Sequence, residues 1–314
     1  MMTRNQPLPM TVLAGFLGAG KTTLVNHLLR HSNGQKIMVL VNDFGELPID
    51  QDLIAAQDGD ILTLANGCAC CSMGGDLYKA FDAALSFSPA PDHLLIEASG
   101  VAEPTRIANF ARAEPDLTLN SIITMVDAAN FDETISKPRL SDIVEAQVST
   151  AHMILLNKCD LASAQELSKC EILLKELNSK APVLKITRGK LSSEVFFGAE
   201  MDPPEGDAIS DKPHSHSHEA DFARWSLQTD CVIDKTTLRD GLANLPSSIL
   251  RFKGIFRAKG EAKLWTVHKV GPHVNITPLS PDITFSGKTG FVAIGLQGTS
   301  FEKSLNATFQ FLEL

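Results

Sequence analysis

The chain has 314 residues, 44% hydrophobic and 21% charged, with a formal net charge of −9. That length suits two domains or one large one, and the balance is that of a globular protein with a sizeable core. The acidity argues against nucleic-acid binding through a basic face, and no apolar run approaches the roughly 20 residues of a membrane span. The start, MMTRNQPLPMTVLAGF, lacks a secretory apolar core with a small-residue cleavage site. The expectation is a cytoplasmic protein with reduced thiols and with neither nucleic-acid nor membrane partners.

In chain order, short β-branched runs alternate with helical patterns. Strands are predicted at 10–16, 36–43, 60–65, 93–99, 121–128, 152–158 and 182–187, several of them continuously apolar. Helices are predicted between them at 22–31, 77–87, 143–151 and 164–180. Such alternation, with strands apolar on both faces, predicts an α/β domain with a doubly wound, mainly parallel sheet. The segment 198–221, GAEMDPPEGDAISDKPHSHSHEAD, has no apolar period and reads as a linker or exposed loop. Beyond it RWSLQTDCVI, LRDGLANL, ILRFKGIFRA, KLWTVHKV, HVNITPL, TGFVAIGL and EKSLNATFQFL predict a strand, a helix, several strands and a last helix. The expected organisation is a nucleotide-binding domain over 1–197, a linker over 198–221 and a smaller α+β domain over 222–314.

The first strand runs into GFLGAGKTT, which satisfies G-x-x-x-x-G-K-[ST] between a strand and an amphipathic helix. In such a bend the N–H groups of Gly15, Phe16, Leu17, Gly18, Ala19, Gly20, Lys21, Thr22 and Thr23 can wrap phosphates at a helix N-terminus. Lys21 is expected to reach the β- and γ-phosphates, and the Thr22 hydroxyl to ligate Mg²⁺. LLIEASG then offers Glu97 as an acid on the Mg²⁺ side and Gly100 as a backbone donor to the γ-phosphate. The bland alternative for Glu97 is a cap on the next turn. LLNKCD carries Asn157, Lys158 and Asp160 in the N-K-x-D spacing that addresses guanine. The Asp160 carboxylate can accept from both guanine edge donors, and Lys158 can lay its apolar stem along the base. The expected nucleotide is GTP.

LANGCACCSM places Cys68, Cys70 and Cys71, half of the six cysteines, in four positions after a turn seeded by Asn66-Gly67. At least two sulfurs can face one side there and bind a soft or borderline cation. A fourth ligand must come from Glu46, a histidine, water or a partner. A redox cluster and buried structural thiols are the alternatives. Cys159, Cys170 and Cys231 stand alone and read as structural.

GFLGAGKTT, VNDFGELPID, NGCACC, IEASGVAEP and NKCD, in this order, resemble the CobW-type metallochaperone GTPases, and RFKGIF with TGFVAIG resembles that family's C-terminal domain. The resemblance implies a GTPase that holds a transition metal through C-x-C-C and delivers it to a client metalloprotein. Zn²⁺ and Co²⁺ are the expected metals, with Cu⁺ a further candidate. It implies Cys68, Cys70 and Cys71 as thiolate ligands, with Glu46 at the family's second acidic position as the preferred non-thiol ligand. Asp43 stands where relatives more often carry glutamate. His214, His216 and His218 form an alternating tract that can capture metal and pass it on, or can be a solvated linker only. His268 and His273 read as ordinary surface or packing histidines. The competing functions are a metal sensor or storage protein indifferent to nucleotide, and a metal-dependent hydrolase regulated by GTP.

Overall fold

A computed structural model describes residues 7–41, 61–63, 75–198, 222–279, 289–297 and 301–310. Two compact units separate at Met1–Ser193 and Glu194–Leu314.

The first unit is built on strands β1 (Leu8–Gly15), β2 (Ile37–Val41), β3 (Ile61–Thr63), β4 (His93–Glu97), β5 (Leu117–Asp127), β6 (Met153–Asn157) and β7 (Val183–Lys185). They form one sheet in the order β3-β2-β4-β1-β5-β6-β7, with every pairing parallel. Every residue of β2, β4 and β6 is buried. That is why their central residues are continuously apolar rather than alternating, with the polar His93, Glu97 and Asn157 only at strand ends. Helices α1 (Lys21–Arg30), α2 (Gly75–Ser86), α3 (Pro104–Ala113), α4 (Phe131–Ile135), α5 (Pro138–Ser149) and α6 (Ala164–Leu177) connect them.

Local chemistry fixes three of these helix starts. Pro104 and Pro138 occupy the first helical position, where a missing N–H costs nothing. Ser163 and Glu166 close a reciprocal capping box on α6. β1 lies between β4 and β5, so consecutive strands leave it in opposite directions. A doubly wound sheet opens its ligand crevice at such a reversal, beyond the strand C-termini.

The boundaries differ from the sequence expectation where pairing overrides pattern. β5 begins at Leu117, not 121, because Leu8 to Met10 extend the ladder to Leu117–Leu119 ahead of a register shift. At 182–187 only Val183–Lys185 pair, against β6. Helix α3 escapes the periodicity argument because two of its buried positions, Ala108 and Ala111, are small. The segment 224–233 is not one strand but two.

In the second unit α7 (Ser193–Phe197) leads to β8 (Phe222–Gln228), β9 (Val232–Ile233), α8 (Lys235–Ala243), β10 (Ile249–Ala258), β11 (Leu264–Val270), β12 (His273–Pro278), β13 (Gly290–Leu296) and α9 (Phe301–Phe309). The sheet runs β12-β11-β10-β13-β8 in antiparallel pairs, with β9 parallel to β10. Phe252, Phe256 and Phe291 pack with Leu238, Leu242, Leu305 and Phe309 in one core. The Phe252 and Phe309 rings stack 5.2 Å apart at 5°. Buried Arg251 donates to the carbonyls of Val195 and Phe196, at the end of α7, where the last carbonyls of a helix have no intrahelical N–H donor. Burial lowers its guanidinium pKa to about 9. On the neighbouring strand burial, helped by Lys253 and Arg251, depresses His268 to about 3, so it packs as a neutral ring.

Among the described residues no helix is long and apolar enough to cross a membrane.

Candidate functional site

The turn between β1 and α1 is shaped by glycines. Gly15 has φ 141°, and a Cβ there would stand 2.3 Å from the Met125 carbonyl oxygen. Gly20 has φ 102°, and its Cβ would stand 2.5 Å from Asn157 Nδ2. Both positions therefore combine a left-handed backbone with a close approach that only glycine permits. The loop wraps the N-terminus of α1, whose first helical residue is Lys21. Lys21 is 8% exposed, and its Nζ donates to the Gly15 carbonyl at 2.8 Å and the Phe16 carbonyl at 3.4 Å. The Thr22 hydroxyl donates to Glu97 Oε1 at 3.0 Å. Glu97 is itself buried at the end of β4. Thr23 and Leu17 point outward, and Ala19 is buried.

Gly100 lies just past β4, where its carbonyl accepts from Gln147 Nε2 at 3.2 Å. Gln147, buried in α5, also donates to the Ala102 carbonyl at 3.0 Å and so fixes this turn. The sequence reading missed Gln147, and a buried amide within a helix leaves no local signal.

The N-K-x-D segment meets the turn between β1 and α1 through one side chain. Asn157 is 2% exposed; its Nδ2 donates to the Ala19 carbonyl at 2.9 Å and its Oδ1 accepts from Gly189 N–H at 3.0 Å. It thereby ties the phosphate loop to the turn after β7. Lys158 has φ 61°, and its Nζ pairs with Asp127 Oδ2 at 2.7 Å. Asp160 Oδ2 stands 3.9 Å from Arg188 Nε. Asp127, Arg188 and Gly189 were not singled out from sequence. Asp127 carries a readable signal, since an acid closing a buried apolar strand usually has a cation beside it.

A cavity of about 290 Å³ opens beside this region, between Phe16, Leu17, Met125, Asp127, Phe131 and Lys158. Lys21, Thr22 and Glu97 are not part of its lining.

Asp43, Glu46, Cys68, Cys70, Cys71, His214, His216 and His218 lie outside the described residues. Among the described residues no three His, Cys, Asp or Glu side chains gather as a metal site. The isolated thiols behave as packing groups. Cys170 is buried, with its pKa raised to about 12 chiefly by burial. Burial also raises half-buried Cys159, whose Sγ donates to the Leu156 carbonyl at 3.1 Å. A thiol held protonated is a poor metal ligand.

A seven-stranded parallel sheet with a glycine-rich turn around a helix N-terminus, a buried lysine, and a Thr–Glu pair beside it define a P-loop nucleotide-binding protein. The CobW/HypB/UreG nucleotide-binding domain matches residues 9–185, and the cobalamin synthesis protein cobW C-terminal domain matches residues 222–309. The chain belongs to this CobW family. It is 33% identical over 270 residues to the zinc chaperone YjiA of Escherichia coli, covering 81% of this chain and 83% of that one. It is 26% identical over 306 residues to the zinc chaperone CobW of a Sinorhizobium species, covering 85% and 86%. A crystal structure of Zn(II)-bound YjiA GTPase from E. coli matches over 98% of this chain and 99% of that one, at 27% identity and a TM-score of 0.48.

Proposed function

We propose that this protein is a GTP-hydrolysing metallochaperone of the cytoplasm, which binds a transition metal through Cys68, Cys70 and Cys71 and passes it to a client metalloprotein. The observation that carries the nucleotide half is the Thr22–Glu97 contact at 3.0 Å, next to a buried Lys21 at a helix N-terminus. A hydroxyl and a carboxylate are the hard oxygen donors that Mg²⁺ takes, so these two residues fit that ion and would hold it. Bound there, Mg²⁺ would supply neutralising charge for the phosphate oxygens. Lys21 exchanges the Gly15 and Phe16 carbonyls for the β- and γ-phosphates, and the N–H groups of the loop and of Gly100 hold the phosphate oxygens. Asp160 accepts from the guanine edge, which separates GTP from ATP, and Lys158 lies along the base.

The metal half draws support from the zinc-chaperone names of two relatives and from the C-x-C-C spacing itself. Zn²⁺ or Co²⁺ is the expected cargo, with Cu⁺ a further candidate. Glu46 is the proposed fourth ligand, and the histidines at 214, 216 and 218 are a proposed capture tract. The thiol loop lies in the chain between the Asp43–Glu46 segment, which resembles the family's switch region, and Glu97, and this order suits a gate: ordering by Mg²⁺-GTP completes the metal site, and hydrolysis releases it.

Competition against a chelator of known affinity, with GDP, a non-hydrolysable GTP analogue or no nucleotide, tests this function. The analogue should tighten metal binding about 5- to 150-fold, and metal should tighten GTP by the same factor. Cys70→Ala should remove the coupling while sparing GTP binding. Identical metal affinity in all three conditions would reject the gate in favour of a sensor or storage protein.

A further inference from the structure

We propose that Asp127 is a positioning residue for the nucleotide base: it fixes the Lys158 ammonium before the base arrives. This rests on the guanine reading of Asn157, Lys158 and Asp160, and it adds a residue from a different strand. Asp127 ends β5 directly opposite Asn157, which ends β6. The register alone therefore delivers the carboxylate to the lysine that follows Asn157. The Asp127 carboxylate is fixed on its own side as well. Its Oδ1 accepts from Ala129 N–H at 3.1 Å, and its Oδ2 accepts from Asn130 Nδ2 at 2.8 Å. The ion pair closes at 2.7 Å, with the Lys158 and Asp127 side chains 29% and 14% exposed. Fully exposed pairs of this kind contribute little, because water competes and two mobile chains must be ordered. Here the acid is already ordered by a turn, and only the lysine remains to be held.

Lys158 needs holding. A lysine side chain has many rotamers, and fixing one when a ligand binds costs affinity. Lys158 also starts from a left-handed backbone that few non-glycine residues adopt, which sets the direction in which its stem leaves the chain. With the ammonium anchored at the far end, the stem is stretched between two fixed points and presents a preformed apolar edge to the base. Asp127 touches neither guanine nor phosphate in this arrangement. Its loss should weaken GTP and GDP equally and leave turnover at saturation unchanged.

Asp127→Asn is the direct test, because the amide keeps the acceptor for Ala129 and removes the charge. Dissociation constants for GTP and GDP, kcat at saturating GTP and thermal unfolding are measured in the natural chain and in the Lys158→Met background, which keeps an apolar stem without an ammonium. The proposal expects a three- to tenfold loss of affinity for both nucleotides, kcat within twofold, and no further loss from Asp127→Asn once Lys158→Met is present. An undiminished loss in that background, or no loss in the natural one, overturns it. Lys158→Met alone leaves the Asp127 turn intact and must show a comparable loss, so the idea stays exposed even if Asp127→Asn does not fold. A natural chain that binds ATP as well as GTP would instead remove the guanine reading, and this inference with it.

Discussion

Asn157→Ala removes one amide and breaks two ties. The Ala19 carbonyl loses its donor at 2.9 Å and the Gly189 N–H loses its acceptor at 3.0 Å. Asn157 is 2% exposed, so both backbone groups face a dry gap. Each buried group left without a partner costs about 1–3 kcal/mol, giving about 2–6 kcal/mol together, at the lower end if water fills the space. For a unit of this size each kcal/mol moves the unfolding midpoint by about 2–4 °C, so Tm should fall by roughly 4–24 °C. The two freed segments are the phosphate loop and the turn after β7, so GTP affinity should fall by at least about tenfold as their spacing relaxes. Asn157→Asp separates the two ends: it keeps an acceptor for Gly189 but sets a carboxylate oxygen against the Ala19 carbonyl. It should be at least as unstable as the alanine variant. Thermal unfolding followed by circular dichroism, with calorimetric titration of GTP, measures both effects. A Tm within about 1 °C of the natural chain and unchanged affinity would refute the stitching argument.

Lys21→Ala should reduce phosphate release from GTP to background while the circular dichroism spectrum stays native, since the ammonium lies over the loop and not in the apolar core; unchanged hydrolysis would remove the phosphate-loop assignment. Asp160→Ala should cost about 2–3 kcal/mol of charge-assisted hydrogen bonding, seen as a roughly 30- to 150-fold weaker GTP in titration with ATP unaffected. Cys170 should resist alkylation at pH 8.5 in the native protein and react after denaturation, because its thiol stays protonated to about 12; peptide mapping of the labelled sites decides it. His268 is held neutral well below its ordinary value, so the unfolded chain takes up its proton first. Stability should fall as pH drops from about 6.5 towards 3, and His268→Gln should flatten that slope in pH-dependent unfolding.

Much of the nucleotide site was legible in one dimension because its chemistry is local. GFLGAGKTT carries its own strand, turn and helix start, and the backbone demands glycine at positions 15 and 20 within a few residues of the lysine they frame. N-K-x-D and the acid closing β4 are read the same way, from the residue type and the apolar run before it. The parallel sheet was equally plain, since strands buried on both faces cannot alternate. The CobW resemblance stood on the same contiguous motifs.

What escaped the sequence depends on register and on packing between distant segments. Nothing near Asp127 announces Lys158, 31 positions away; the pairing of β5 with β6 brings them to 2.7 Å. Asn157 reads as a base ligand in its tetrapeptide, yet its amide is engaged at both ends by loops that only the folded sheet places on either side of it. Gln147 and Arg251 are polar residues in segments that pattern alone assigns to a helix and a strand. Each is buried against backbone carbonyls that tertiary packing supplies. A motif is a short-range statement about one turn of chain, whereas a hydrogen bond across a sheet is fixed by the register of whole strands. The sequence by itself determined the candidate residues for phosphate and guanine chemistry, because each motif is local, and the tertiary structure decided which neighbours hold those residues still.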